Sequence, residues 1–300
     1  MAKGRFKGIF PMLYTYFTAE GGLDRPAMKA QVDACVAAGA HGLAILGIVG
    51  EFNKMNTQER RRVVEVVAED LGGRLPLAVT VCETSIDGQI DFMRVAEAVR
   101  ADWVILQPPP IKGIPEAELV RFFGAVAERA KLPVAIQNNP VNLDVWLSDS
   151  GLKTLHRNHP NVSLLKGEGP VHMVQRTIQE TEGAFEVFCG LGGKELPMSL
   201  RAGCVGCVPA PDCIDVQVQI FGLMEGGKED AAEALHRSIL PLLYFMLHSP
   251  EHMLCYGKRL FARRAGIAAV HSRAPFIQPT SFSSGVVEAY AKGLANLPDR

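Results

Sequence analysis

No apolar run in this chain reaches the roughly 18 residues that a membrane span requires. The longest, SILPLLYFMLH at 238–248, is too short and carries a proline. The N-terminal stretch MAKGRFKGIFPMLYTYF has neither the apolar core nor the small-residue cleavage site of a secretory leader. Seven cysteines, an odd number scattered through 300 residues, make no disulfide framework and read as reduced thiols. A cytoplasmic protein is the expectation. The formal net charge is −1 and no charged block stands out, so neither nucleic acid nor a membrane surface is an expected partner. The eight histidines show no H-E-x-x-H or other ligand spacing, and His248 and His252 flank Pro250, which argues against a shared helical face. Cys204 and Cys207 form a C-x-x-C without a second pair at zinc spacing. No metal is expected.

What is present is an ordinary globular composition, 48% apolar and 21% charged, laid out in a regular alternation. Short apolar runs of strand length precede longer amphipathic stretches. GIFPMLYTYF (8–17) reads as the first strand, GLAILG (42–47) as the second, and PLAVTV, WVILQP, PVAIQN, VSLLKGE and FEVFCG as the next five. GCVPA (206–210) makes the eighth. Between them lie helical patterns, one opened by Asn56 as an N-cap. Units of about 25 residues suit minimal strand–helix pairs. The count of eight, and the lack of a G-x-G-x-x-G after the first strand, favour a closed (β/α)8 TIM barrel over an open doubly wound sheet. Residues 1–210 are assigned to the barrel. From 211 to 300 the strand pattern stops, and three helices broken at Gly226–Gly227 and at Pro250, then a proline-bearing tail and a last helix, form a C-terminal helical extension packed on it. The two tryptophans and the Met-rich stretch 243–253 are expected in the core or a subunit contact.

In such a barrel, reacting groups sit at the C-terminal ends of the strands. Lys166 is the only lysine that ends one of these strand runs; Lys112 and Lys194 fall in loops beyond. Residues two apart on a strand share a face, so Lys166 and Glu168 point the same way, toward the mouth. A partly desolvated lysine there can attack a carbonyl and form a Schiff base, with Glu168 as proton shuttle or ion partner. The same spacing also suits a surface lysine beside a solvated glutamate. On strand 5, Gln137 and Asn139 share one face and Asn138 takes the other; buried amides need partners and can orient a substrate, but cannot exchange protons near neutral pH. The glycine-framed turn GIVGEF (47–52) could offer backbone N–H groups to a carboxylate, though such turns are common for steric reasons alone. The same applies to CGLGG (189–193).

The G-x-x-G-E turn after strand 2, N-x-P on strand 5, a lysine ending strand 6, a glycine ending strand 7 and a C-terminal helical bundle resemble the dihydrodipicolinate synthase / N-acetylneuraminate lyase superfamily, over nearly the whole chain. The resemblance implies a covalent Schiff base through Lys166, no further cofactor, a small 2-keto acid as substrate, and a homotetramer built as a dimer of dimers. It also implies substrate-binding positions at Gly47, Ile48, Val49, Glu51, Asn139, Gly190 and Pro209. The departures are specific. The family's strand-5 tyrosine is replaced by Gln137, the synthases' adjacent threonines by Ile48 and Val49, and their second tyrosine falls at or near Pro110. With that proton relay missing, synthase or neuraminate lyase activity is not expected. The 2-keto-3-deoxy-L-arabonate dehydratases look similar at the same places: Ile136, Gln137, Asn138 and Pro140, then Lys166, Glu168 and Pro170, with Glu51 corresponding on strand 2. The expectation is a dehydratase of a 2-keto-3-deoxy sugar acid, with Lys166, Glu168 and Gln137 as its catalytic set and Glu168, Glu51 or a water moving protons. A pyruvate-dependent aldolase or condensing enzyme is the alternative, and a catalytically silent ligand-binding paralogue a third.

Overall fold

The computed structural model describes residues 6–298; residues 1–5, at the head of the stretch read for a leader, and 299–300 lie outside the described residues. Strands and helices alternate through β1 (Gly8–Ile9), α1 (Arg25–Ala37), β2 (Leu43–Ile45), α2 (Thr57–Leu71), β3 (Leu77–Val81), α3 (Ile86–Ala98), β4 (Trp103–Leu106) and α4 (Glu116–Ala127). They continue through β5 (Val134–Asn138), α5 (Asp149–Asn158), β6 (Val162–Gly167), α6 (Val171–Glu180), β7 (Glu186–Cys189), α7 (Leu196–Arg201), β8 (Gly206–Cys207), α8 (Ile214–Glu225) and α9 (Glu229–Met246). The helices start where the sequence supplies an oxygen for the free N–H groups of the first turn. Asn56 and Glu59 cap α2 reciprocally, and Asp24, Ser85 and Ser148 accept from the third residue beyond them.

All eight strands are parallel, in the order β1-β8-β7-β6-β5-β4-β3-β2. The two ends of that order meet. Met12 bridges Ala44 in parallel, the Leu13 N–H donates to the Ala44 carbonyl at 2.8 Å, and the Ala44 N–H donates to Pro11 at 3.0 Å. The sheet is a closed TIM barrel. Its bore is a packed core rather than a channel: Phe10, Trp103 and Phe188 meet with ring centroids 5.3–5.7 Å apart, flanked by Ala44, Ala78, Ala135 and Leu164. This plug is a rigid floor beneath the strand ends.

The first strand is shorter than the run 8–17 suggests. Regular pairing covers only Gly8–Ile9, because Pro11 has no N–H and residues 10–13 bond alternately to both neighbours. Phe10 and Met12 donate to Cys207 and Pro209 on one side, Leu13 to Ala44 on the other. The eighth strand is likewise Gly206–Cys207 rather than 206–210. Gly206 is there because a Cβ would lie 2.0 Å from the Gly8 carbonyl oxygen.

The segment after 211 is helical, with breaks at Gly226–Gly227 and before Pro250. Ile214–Glu225 packs against β1 and α7, in the position of the barrel's eighth helix, although the sequence reading placed it in the extension. After α9, Ser249 caps a helix over 250–264 that contains a π-helical turn at Met253–Gly257. A last helix, Ser281–Tyr290, closes the fold. Trp103 fills the barrel interior, whereas Trp146 is exposed; Met246 and Met253 are buried. All seven cysteines are free thiols. Among the described residues no helix is long and apolar enough to cross a membrane.

Candidate active site

β6 carries Lys166 to the C-terminal end of the barrel beside Gln137 on β5 and Phe188 on β7. The ladder runs one residue further, where the Glu168 N–H donates to the Asn138 carbonyl at 2.9 Å. Period-two geometry then turns Lys166 and Glu168 to the same side. Lys166 is 5% and Glu168 7% exposed, which rules out a solvated surface pair. The two lie 2.8 Å apart, Lys166 Nζ to Glu168 Oε2. That one oxygen also accepts from Gln137 Nε2 at 2.7 Å and Asn139 Nδ2 at 2.9 Å. Three donors thus converge on a single carboxylate oxygen, two of them the strand-5 amides that share a face. Asn138, on the other face, bonds the backbone of Leu147 through both ends of its amide. Charge-assisted bonds of this kind are roughly twice as strong as neutral ones, and they fix the carboxyl group in place.

Gly190 makes room for it. A Cβ on Gly190 would lie 2.4 Å from Glu168 Cγ and 2.5 Å from Oε1, so only glycine fits where β7 gives way to its loop.

Lys166 and Glu168 open onto a cavity whose walls are otherwise largely apolar. Ile48 and Val49 come from the turn after β2, Val141 and Asn142 from the loop after β5, Leu191 and Lys194 from the loop after β7. Val208, Pro209 and Ala210 follow β8, and Leu247, Ser249, Pro250 and Met253 come from the helical extension. No cavity-lining residue is a tyrosine. Tyr14 lies fully buried behind the wall, its hydroxyl donating to Asp212 at 3.0 Å, and burial pushes its pKa well above the ordinary value. Among the described residues no group of three or more His, Cys, Asp or Glu side chains could hold a metal ion.

Of the residues singled out in the sequence, Lys166, Glu168, Ile48, Val49 and Pro209 line the cavity, Gln137 and Asn139 support Glu168 from below, and Gly190 touches it. Gly47 opens the turn at 48–50, where a Cβ would lie 2.6 Å from Met12 Cε. Glu51 sits elsewhere. Its left-handed backbone, φ 58°, swings the side chain away from the cavity to Lys258 Nζ at 2.6 Å and Lys54 Nζ at 3.2 Å, both buried. Lys54 also reaches Glu251 at 3.0 Å, tying this turn to the helix at 250–264. Sequence reasoning passed over three kinds of residue: the extension's share of the cavity wall, the lysine partners of Glu51, and Gln107. Gln107 had a signal, since it is an amide at a strand end like Gln137.

The family model described as the dihydrodipicolinate synthetase family matches residues 5–288. YagE of Escherichia coli (strain K12), provisionally named a 2-dehydro-3-deoxy-D-gluconate aldolase, is 30% identical over 243 residues, 79% of this chain and 80% of its own. The 4-hydroxy-tetrahydrodipicolinate synthase of Methanopyrus kandleri is 26% identical over 242 residues, 79% of this chain and 80% of its own. A crystal structure of YagE in complex with pyruvate superposes with a TM-score of 0.87 at 24% identity, covering 96% of this chain and 98% of that one. The chain therefore belongs to the dihydrodipicolinate synthetase family and is a lyase of that family.

Proposed function

We propose that the protein is a Schiff-base dehydratase of a 2-keto-3-deoxy sugar acid, such as 2-keto-3-deoxy-L-arabonate. The observation that carries this reading is the contact between Lys166 Nζ and Glu168 Oε2 in a cavity that no tyrosine lines. To attack a ketone the lysine gives up a proton, and Glu168 is the acceptor in hydrogen-bond contact. The amine adds to C2, the C2 oxygen leaves as water, and a protonated imine remains. That imine withdraws electrons from the C3–H bond. Glu168 takes the C3 proton, the electron pair moves into the C2–C3 bond as an enamine, and the pair then expels the C4 hydroxyl. The same carboxyl returns its proton to the departing oxygen, so that water leaves. One carboxyl therefore serves as base and then as acid. Gln137 and Asn139 hold that carboxyl, and the N–H groups of Ile48 and Val49, at the open start of their turn, receive the substrate carboxylate. Loss of a C5 proton and protonation at C3 turn the C3–C4 alkene into a C4–C5 enol, which tautomerises to the C5 aldehyde; water then hydrolyses the imine and frees Lys166. Glu51, bonded to two lysines away from the cavity, takes no part in the proton transfers.

A second reading, retro-aldol cleavage between C3 and C4 from the same imine, is favoured by the aldolase name carried by YagE. Product analysis with 2-keto-3-deoxy-L-arabonate separates the two. Dehydration gives 2,5-dioxopentanoate, whereas cleavage gives pyruvate and glycolaldehyde; the second outcome overturns the dehydratase. The tetramer is part of this proposal, and light scattering at working concentration reads it directly.

A further inference from the structure

We propose that Gln107 is a positioning residue for Glu168, acting through the side-chain amide of Gln137. Gln107 follows β4 two residues after Ile105, which faces the barrel interior, and it is buried. Its Nε2 donates to Gln137 Oε1 at 2.8 Å, and Gln137 Nε2 donates to Glu168 Oε2 at 2.7 Å. The polarity of this chain is not arbitrary. An ionised carboxylate only accepts, so Gln137 must present its NH2 to Glu168 and its oxygen to the other side. Turned over, the Gln137 amide would face the carboxylate with its carbonyl and face Gln107 with a second NH2. Shape does not forbid that flip, because the two ends of an amide are nearly the same size. The Gln107 donor does.

Gln107 is itself held on both sides. Its N–H donates to the Val81 carbonyl at 3.0 Å, and its carbonyl accepts from Gln89 Nε2 at 2.8 Å. Gln89, also buried, bonds the Glu83 carbonyl at 3.0 Å with the same nitrogen. The carboxyl at the cavity is thus referenced through two amides to the β3–β4 wall on its far side. Gln107 does not line the cavity, so it acts only through Gln137.

The inference rests on the reading of Glu168 as the proton carrier. The test uses pyruvate as a probe in D2O. Imine formation at Lys166 makes the pyruvate methyl protons exchangeable, and their loss is followed by NMR; borohydride trapping of the imine is measured in parallel. For Gln107→Leu the maximal exchange rate should fall about 10–100-fold, the loss expected of a misplaced reacting group, while half-saturating pyruvate stays within about threefold and trapping is unchanged. Gln107→Glu keeps the volume but presents only acceptors, so it draws the Gln137 NH2 to itself and aims the carbonyl at Glu168. Its loss should equal or exceed that of the leucine variant, whereas a space-filling role would leave it near wild type. In a Glu168→Gln background, adding Gln107→Leu should change exchange by less than about twofold, since both act through one group. Wild-type exchange in a folded Gln107→Glu variant overturns the proposal, as does full multiplication of the two losses in the double variant. Should Gln107→Leu fail to fold, Gln107→Glu carries the test. Undiminished exchange in Glu168→Gln alone overturns the proton-carrier reading itself.

Discussion

Two buried lysine–glutamate pairs stand at the same end of this barrel, and their surroundings differ. In one, Lys166 and Glu168 lie 2.8 Å apart and both line the cavity. The carboxyl there takes its further bonds from neutral amides, which hold it without competing for its proton. In the other, Lys258 and Glu51 lie 2.6 Å apart, but a second ammonium, Lys54, occupies the remaining carboxylate oxygen. The Lys258 ammonium is further covered by the rings of Tyr16 and Phe17, with centroids 5.2 and 5.1 Å away. Burial alone therefore does not mark a reactive lysine. What separates the pairs is that only one opens onto the cavity and takes its further bonds from neutral amides.

The largest expected effect tests that difference directly. Borohydride reduction in the presence of pyruvate should attach one pyruvate-derived group to the protein, and Lys166→Ala should abolish the mass shift in a protein that remains folded. Lys258→Met should keep the full shift. Label on Lys258 in the wild-type protein would break the comparison.

Next comes Gly190→Ala. The added Cβ would have to occupy the place of Glu168 Cγ, 2.4 Å away, so the carboxyl must move. Turnover should fall about 100-fold, the scale of a misplacement near 1 Å, with imine trapping retained. Equal turnover in the alanine variant would show that the position of Glu168 is not decisive.

The sealed pair should instead report on stability. Lys258→Met should cost about 3 kcal/mol in urea denaturation, the low end for breaking a buried pair, because Lys54 still neutralises Glu51. The smallest effect is a change in pH dependence. Burial pulls the Lys258 ammonium below its ordinary 10.5, against the upward pull of Glu51. The unfolded chain then holds that proton more tightly than the folded one, so this group adds stability as pH rises from the lowered value to 10.5. Lys258→Met should flatten that alkaline rise relative to wild type.

The sequence made one pair legible and hid the other, for reasons of chain geometry. Lys166, Glu168, Gln137 and Asn139 belong to adjacent strands, where a period of two and a shared register carry a residue's number directly into its direction. The N-cap at Asn56 was equally visible, since the residues it caps follow it directly in the chain. Glu51 escaped because one left-handed residue reverses its direction, and its partner lies 207 positions along the chain. Leu247, Ser249, Pro250 and Met253 reach the cavity only because the extension folds back over the mouth. No local pattern announces such a return. Strand 1 was overread because an apolar run shows no sign of which neighbour each N–H will choose.

The origin of the cavity wall has an evolutionary corollary. On the proposed reading the groups that engage the carbonyl stand on the strands, whereas part of the cavity wall is contributed by 247–253, a stretch separate from the barrel's hydrogen-bond ladder. Replacing that stretch would alter which molecules are admitted while the lysine, its carboxylate and the amides beneath them stay as they are. New appetites could be acquired there by drift, without the reaction ever having to be reinvented.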